Sequence, residues 1–168
     1  MLRDMYSNFK FFQCIEPQEL LAATLTGLDI DTQGFESLTV LVDLGNISFI
    51  SGASFCSLAL QHTDATAAGV ASDYAACVAA DMIGLPSGTA SVTTGIFKTI
   101  GTGCVNISTC GSRIVPVGYR GTKRFVRVVA TLTGRPTLGS ECIGAIAVLG
   151  YPANWPVNNG ETSLIIAA

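Results

Sequence analysis

Ionisable side chains are scarce in this chain: Asp, Glu, Lys and Arg make up only 12% of its 168 residues, about half of the roughly 25% usual in soluble domains. Hydrophobic residues reach 49%, and the mean hydropathy is +0.50. A chain this poor in charge has few groups to hold separate copies apart in water. Either a membrane or an assembly is expected to cover much of its surface. A spanning helix requires roughly 18 or more apolar residues in a row. The best stretch, residues 65–83, is broken by Gly69, Ser72, Asp73 and Asp81. The opening MLRDMYSNFKFF mixes Arg3 with Asp4 and lacks an apolar core and a small-residue cleavage site, so no secretory leader is expected. The reading is a subunit of a soluble assembly, with no membrane partner.

Catalytic and metal-binding signatures are missing as well. His62 is the single histidine, in QHTD beside Asp64, and without a GxSxG elbow it reads as a polar residue at a strand edge. The six cysteines show no CxxC spacing, which argues against structural zinc and for buried thiols acting as small hydrophobes. Cys104 and Cys110 bracket VNIST between glycines, where a disulfide is the alternative to two thiols. Asp29 and Asp31 share one face of an apparent strand, but the spaced ligands of a calcium loop are absent. Two solvated carboxylates are the plain reading. No phosphate-binding glycine loop occurs. The expectation is a protein that is not an enzyme and uses no cofactor or metal.

What is present is a series of short alternating runs divided by Gly-rich turns. LTVLVDLG, FCSLALQHT, YAACVAADMIG, SVTTGIFKTIG, RIVPVGY, KRFVRVVATLTG and CIGAIAVLGYP each read as strands. The alanine-rich YAACVAADMIG admits a short helix but is read as a strand from its length and neighbours. This spacing, with no long amphipathic helix, implies an all-β fold: a jelly-roll-like antiparallel β-sandwich with an N-terminal arm. Residues 1–26 are taken as an arm or a first strand with a linker, and residues 27–168 as the sandwich domain. The aromatic segment holding Phe9, Phe11 and Phe12 is a candidate contact with a neighbouring subunit.

Positive charge is concentrated. Six of the nine Lys and Arg residues lie between Arg113 and Arg135, and residues 1–98 hold ten acidic and three basic side chains. In KRFVRVVAT, one strand face carries Arg124, Val126, Val128 and Ala130, and the other Phe125, Arg127, Val129 and Thr131. Each face sets a guanidinium beside apolar groups, so at least one arginine should meet a carboxylate or a partner surface. Arg120, Lys123 and Arg124 form a basic turn, flanked by Tyr119 and Phe125, and are candidate contacts with a neighbouring subunit or the shell it joins. With a pI near 4.9 and no extended basic stripe, nucleic acid is not the expected partner.

Gly118, Tyr119, Gly121, Lys123, Arg124, Phe125, Val126, Arg127 and Val128, followed by Gly150 and Pro152, carry a resemblance. So do Gln61-His62-Thr63-Asp64 and GFES at 34–37. The pattern resembles small tailed-bacteriophage proteins encoded beside the major capsid protein. It covers roughly residues 27–152 and is specific only in the C-terminal third. Phe125 stands where the pattern has Tyr, and the alanine content of 65–83 and the six cysteines depart from it. The resemblance implies a structural virion protein, a decoration or cement protein on the capsid exterior, partnered by the major capsid protein and by itself as a dimer or trimer. Alternatives are a receptor- or glycan-binding module, with Tyr151, Asn154, Trp155 and Asn158 as its contacts, or a tail or head-completion subunit.

Overall fold

Every second residue from Leu38 to Leu44 and from Val126 to Leu132 is apolar, a row on each strand that only a second sheet can cover. The structure, a computed structural model, describes residues 8–20, 23–45, 55–67, 70–85, 93–101, 113–134 and 142–154. Its strands are β1 (Phe9–Glu19), β2 (Thr24–Thr26), β3 (Ile30–Asp31), β4 (Phe35–Leu44), β5 (Phe55–Thr63), β6 (Thr66–Ala67), β7 (Val70–Ala71), β8 (Ala75–Ala76), β9 (Met82–Ile83), β10 (Ile96–Ile100), β11 (Arg113–Tyr119), β12 (Phe125–Thr133) and β13 (Cys142–Pro152). The first sheet runs β1-β13-β4-β11-β9 and the second β10-β5-β12-β2. β8 and β3 are added on β5 and β12, and β6–β7 form a small hairpin.

Four antiparallel pairs define the winding: β1 with β13, β2 with β12, β4 with β11, and β5 with β10. The chain is thus one long hairpin, closed at β5–β10 and rolled so that successive pairs alternate between sheets. This is the jelly-roll arrangement of an all-β sandwich. Val40, Val42, Leu58, Leu60, Val126, Val128, Ala130 and Ala147 are fully enclosed between the sheets. The Val126, Val128 and Ala130 face of KRFVRVVAT therefore points inward, and Arg127 points out.

Two glycines permit close approaches. Gly27 sends its N–H to Val128 O at 2.8 Å while Leu28 N–H reaches Cys14 O at 2.7 Å, so the chain bridges the two sheets along one edge. A methyl on Gly27 would meet Cys14 O at 2.7 Å. Gly95, at φ +73°, sits where the edge of β5 passes from β10 to β8, and its carbonyl accepts Leu60 N–H at 2.9 Å.

YAACVAADMIG departs from the expected strand. Only Ala75–Ala76 and Met82–Ile83 are extended, and Ala79–Asp81 forms a single 3-10 turn. The reason is capping: Asp81 Oδ2 accepts Val78 N–H at 3.1 Å, which a straight strand does not allow. Cys14, Cys56 and Cys77 are buried and Cys142 is exposed. Burial pushes the Cys14 thiol up to about 11 and Cys77 up to about 12, so both behave as small apolar groups. Cys104 and Cys110 lie outside the described residues, as do Trp155 and Asn158. No described helix is long and apolar enough to cross a membrane.

Candidate functional site

The aromatic strand and the basic turn, more than a hundred residues apart, reach one end of the sandwich. Phe9 lies opposite Gly150, Gly150 opposite Ser37, and Leu38 opposite Tyr119, so β1 begins where β11 ends. Around this end stand the 120–124 turn, the end of β5, β3 and the 3-10 turn.

Tyr119 organises it. Its ring is buried between the sheets and its hydroxyl accepts Lys123 N–H at 3.1 Å and lies 3.0 Å from His62 Nδ1. The oxygen thus ties the 120–124 turn to the end of β5, its bond to Lys123 fixed in direction and that to Nδ1 set by the imidazole tautomer. Burial pushes the Tyr119 phenol up to about 12, so it stays a donor at neutral pH. A methyl at position 121 would fall on the Tyr119 hydroxyl, which explains the glycine in GYRG. His62 stands one residue from the end of β5 with its side chain largely covered. It faces inward opposite Val126, held by Tyr119, with Asp81 Oδ2 3.9 Å away.

The cations of the turn are matched within the chain. Arg124 grips Asp31 with both arms, Nε to Oδ1 at 2.9 Å and Nη2 to Oδ2 at 2.7 Å, and its guanidinium lies 4.8 Å from the Phe125 ring centroid. Lys123 Nζ donates to Asp64 Oδ2 at 2.7 Å, and Arg124 N–H to Asp64 Oδ1 at 2.8 Å. Thr32 pins the same turn through Arg124 O at 2.8 Å. Arg120 gives its Nε–H to Ala80 O at 2.6 Å and its backbone N–H to Asp81 O at 2.9 Å. Lys123 and Arg124 are therefore paired with Asp64 and Asp31, and Arg124 is the arginine that finds the expected carboxylate. Sequence reasoning missed these partners because they stand 59 and 93 residues away. Exposed and screened by solvent, these pairs add little to stability; their effect is to fix the turn's shape.

Of the three aromatics, Phe11 is exposed, Phe9 is half-buried against Gly150, and Phe12 packs against the core. Phe12 is therefore a core contributor, because its position in the alternation of β1 turns it inward. Arg127 stacks on Tyr74 at 3.7 Å from the ring centroid and donates Nε–H to Gln61 Oε1 at 2.9 Å. Burial, and then the nearby Asp29 carboxylate, push the Tyr74 phenol up. Tyr151 is 72% exposed at the same end as the basic turn, with a left-handed φ of +52°. Among the described residues no cluster of His, Cys, Asp and Glu is placed to hold a metal ion.

The two matched carboxyls have a pH consequence. The Arg124 hydrogen bond holds Asp31 below its ordinary value, and the Lys123 hydrogen bond does the same for Asp64. A carboxyl depressed in the folded state stabilises it above the unfolded value near ~3.9, and that contribution is lost as pH falls through the folded value. Thermal melting followed from pH 6 to 2 should thus hold steady down to about pH 4 and then decline. Asp31→Asn should flatten part of that decline.

No protein-family model matches this chain, and no curated protein matches it. Among solved structures, dimeric latent PorU from Porphyromonas gingivalis is similar at a TM-score of 0.36 and 10% identity, over 86% of this chain. The chain spans 13% of that one, and a likeness so loose carries no inference about function.

Proposed function

We propose that this chain is a structural virion subunit: a decoration or cement protein, not an enzyme, that binds the exterior of a tailed-phage head and stabilises the shell. It would be made in the host cytoplasm and end on the virion, with the major capsid protein as its partner. The observation that carries this reading is the convergence, at one end of a jelly roll, of the GYRGTKR turn, the start of β1 and the exposed Tyr151. Of these, the GYRGTKR turn bears the phage resemblance, and the aromatic segment and Tyr151 stand beside it. Because Asp31 and Asp64 pre-order the turn, docking it would freeze few additional side chains. A repeating lattice multiplies a weak contact, and preferential binding to the expanded shell stabilises that form by mass action.

Purified protein should add to emptied, expanded heads at a fixed stoichiometry and raise their melting temperature. Tyr151→Asn, which tolerates the left-handed backbone, should weaken that binding by about ten-fold, the loss of one exposed aromatic contact, while the melting temperature of the free protein stays unchanged. Binding unaffected by this change would remove the end from the contact. A second reading, a glycan-binding module, draws on the open Tyr151 ring and its unusual backbone. Failure to bind shells together with capture on a glycan array would favour it.

A further inference from the structure

The two outer faces of the sandwich are unlike. On the second sheet, the segment after β5 folds back over the face: Thr63 Oγ1 donates to Ser72 O at 2.6 Å and Tyr74 covers Arg127. On the first sheet, cross-strand rows run Phe11–Val148–Thr39–Gly118–Ile83 and Gln13–Ile146–Leu41–Pro116, with Ile114 beside Asp43. Phe11 and Ile146 remain 47% exposed, Ile83 54% and Ile114 60%. Monomers seldom expose contiguous apolar patches beyond a few hundred Å². Four strands about 4.8 Å apart, taken over the ten residues of β4 at about 3.4 Å each, give a flat face of roughly 650 Å². Two such faces bury roughly 1,300 Å², within the range of about 1,200–2,000 Å² for stable pairs.

Charge on the outward rows is separated along the strands. Asp43 and Glu19, the partners of Ile114 and Cys142, stand at one end, and Arg120 follows β11 at the other. Glu36, exposed at the head of the row that continues inward in Leu38 and Val40, borders the hollow at the Arg120 end. Each end holds a shallow hollow: one of about 250 Å³ beside Asp43 and Ile114, the other of about 370 Å³ beside Arg120 and Ile83.

We infer that the outer face of the first sheet docks on the same face of a second copy, about a twofold axis lying between the sheets and perpendicular to the strands. A twofold so placed reverses the strands, so that Arg120 of each copy comes over Ile114 and Asp43 of the other. An axis along the strands would stack Asp43 on Asp43, which like charge disfavours. Leu41, Ile146 and Val148 form the dry centre, and Phe11 and Ile83 flank it. The inference needs no shell, so its failure and that of the shell-binding proposal are distinguishable.

Sedimentation equilibrium of the purified chain should return twice the chain mass at about 50 μM, well above a micromolar dissociation constant. Ile146→Asp and, independently, Ile114→Asp change exposed positions and should give the single-chain mass with melting and far-ultraviolet dichroism of a folded β protein. Asp43→Arg should weaken association by about ten-fold, and pairing it with Arg120→Asp should restore it. A wild-type chain that stays single at about 50 μM, or a pair untouched by both isoleucine changes, overturns the inference. A double exchange that does not restore association overturns the proposed orientation.

Discussion

Gly95→Ala is expected to leave little soluble protein, and what remains should melt far below the wild type. Gly95 adopts φ +73°, and a methyl there would drive into the carbonyl oxygen of Leu60. The left-handed backbone alone costs an alanine on the order of 1–2 kcal/mol. The collision is with backbone, not with the flexible tip of a side chain, so relief requires β5 to move. Leu60 sits between two bonds at that spot: its N–H goes to Gly95 O, and its own carbonyl accepts Cys77 N–H at 3.1 Å. Displacing it threatens both, so the total should be at least about 3 kcal/mol, a large share of a typical domain's stability. The check is the soluble fraction on expression and the denaturant midpoint. A variant within about 1 kcal/mol of wild type would mean that the turn before β10 readjusts freely.

Leu60→Ala should lower stability by about 2–5 kcal/mol, the range for truncating an enclosed leucine whose cavity cannot close. Leu60 is fully enclosed and paired with Val128 across the β5–β12 ladder, so both sheets line the space left behind. For a chain of this size that corresponds to a melting temperature lower by roughly 5–15 °C. The same truncation at Leu41, on the outer row, should cost much less in the isolated chain. Differential scanning calorimetry of the two variants separates core packing from surface contact.

Much of the fold was legible because period-two alternation is a local property. FVRVVAT declares a strand without help from the rest of the chain, but with an arginine and a valine on each face only the structure shows that the Val126 and Val128 row is the enclosed one. The alanine-rich segment was not legible, since the helix preference of Ala cannot overcome nucleation in so short a run and the Asp81 cap decided the outcome. The partners of Arg124 and Lys123 were hidden for a different reason: winding brings Asp31 and Asp64 to them, and no local signal encodes it. One signal was present and passed over. LTVLVDL and IGAIAVL are apolar at nearly every position, the mark of strands covered on both faces, yet only one face of β4 and β13 meets the other sheet.

The slot taken by β13 has a consequence for synthesis. β13 lies between β1 and β4, so most of the chain must leave the ribosome before the earliest described strand can find its neighbour. Closure of such distant partners belongs to the slow regime of milliseconds to seconds. Until it happens, β1 and β4 are held apart and the rows joining Phe11 to Thr39 do not exist. A chain cut short before β13 therefore lacks this outer face altogether, so the face itself reports that synthesis has reached the last described strand.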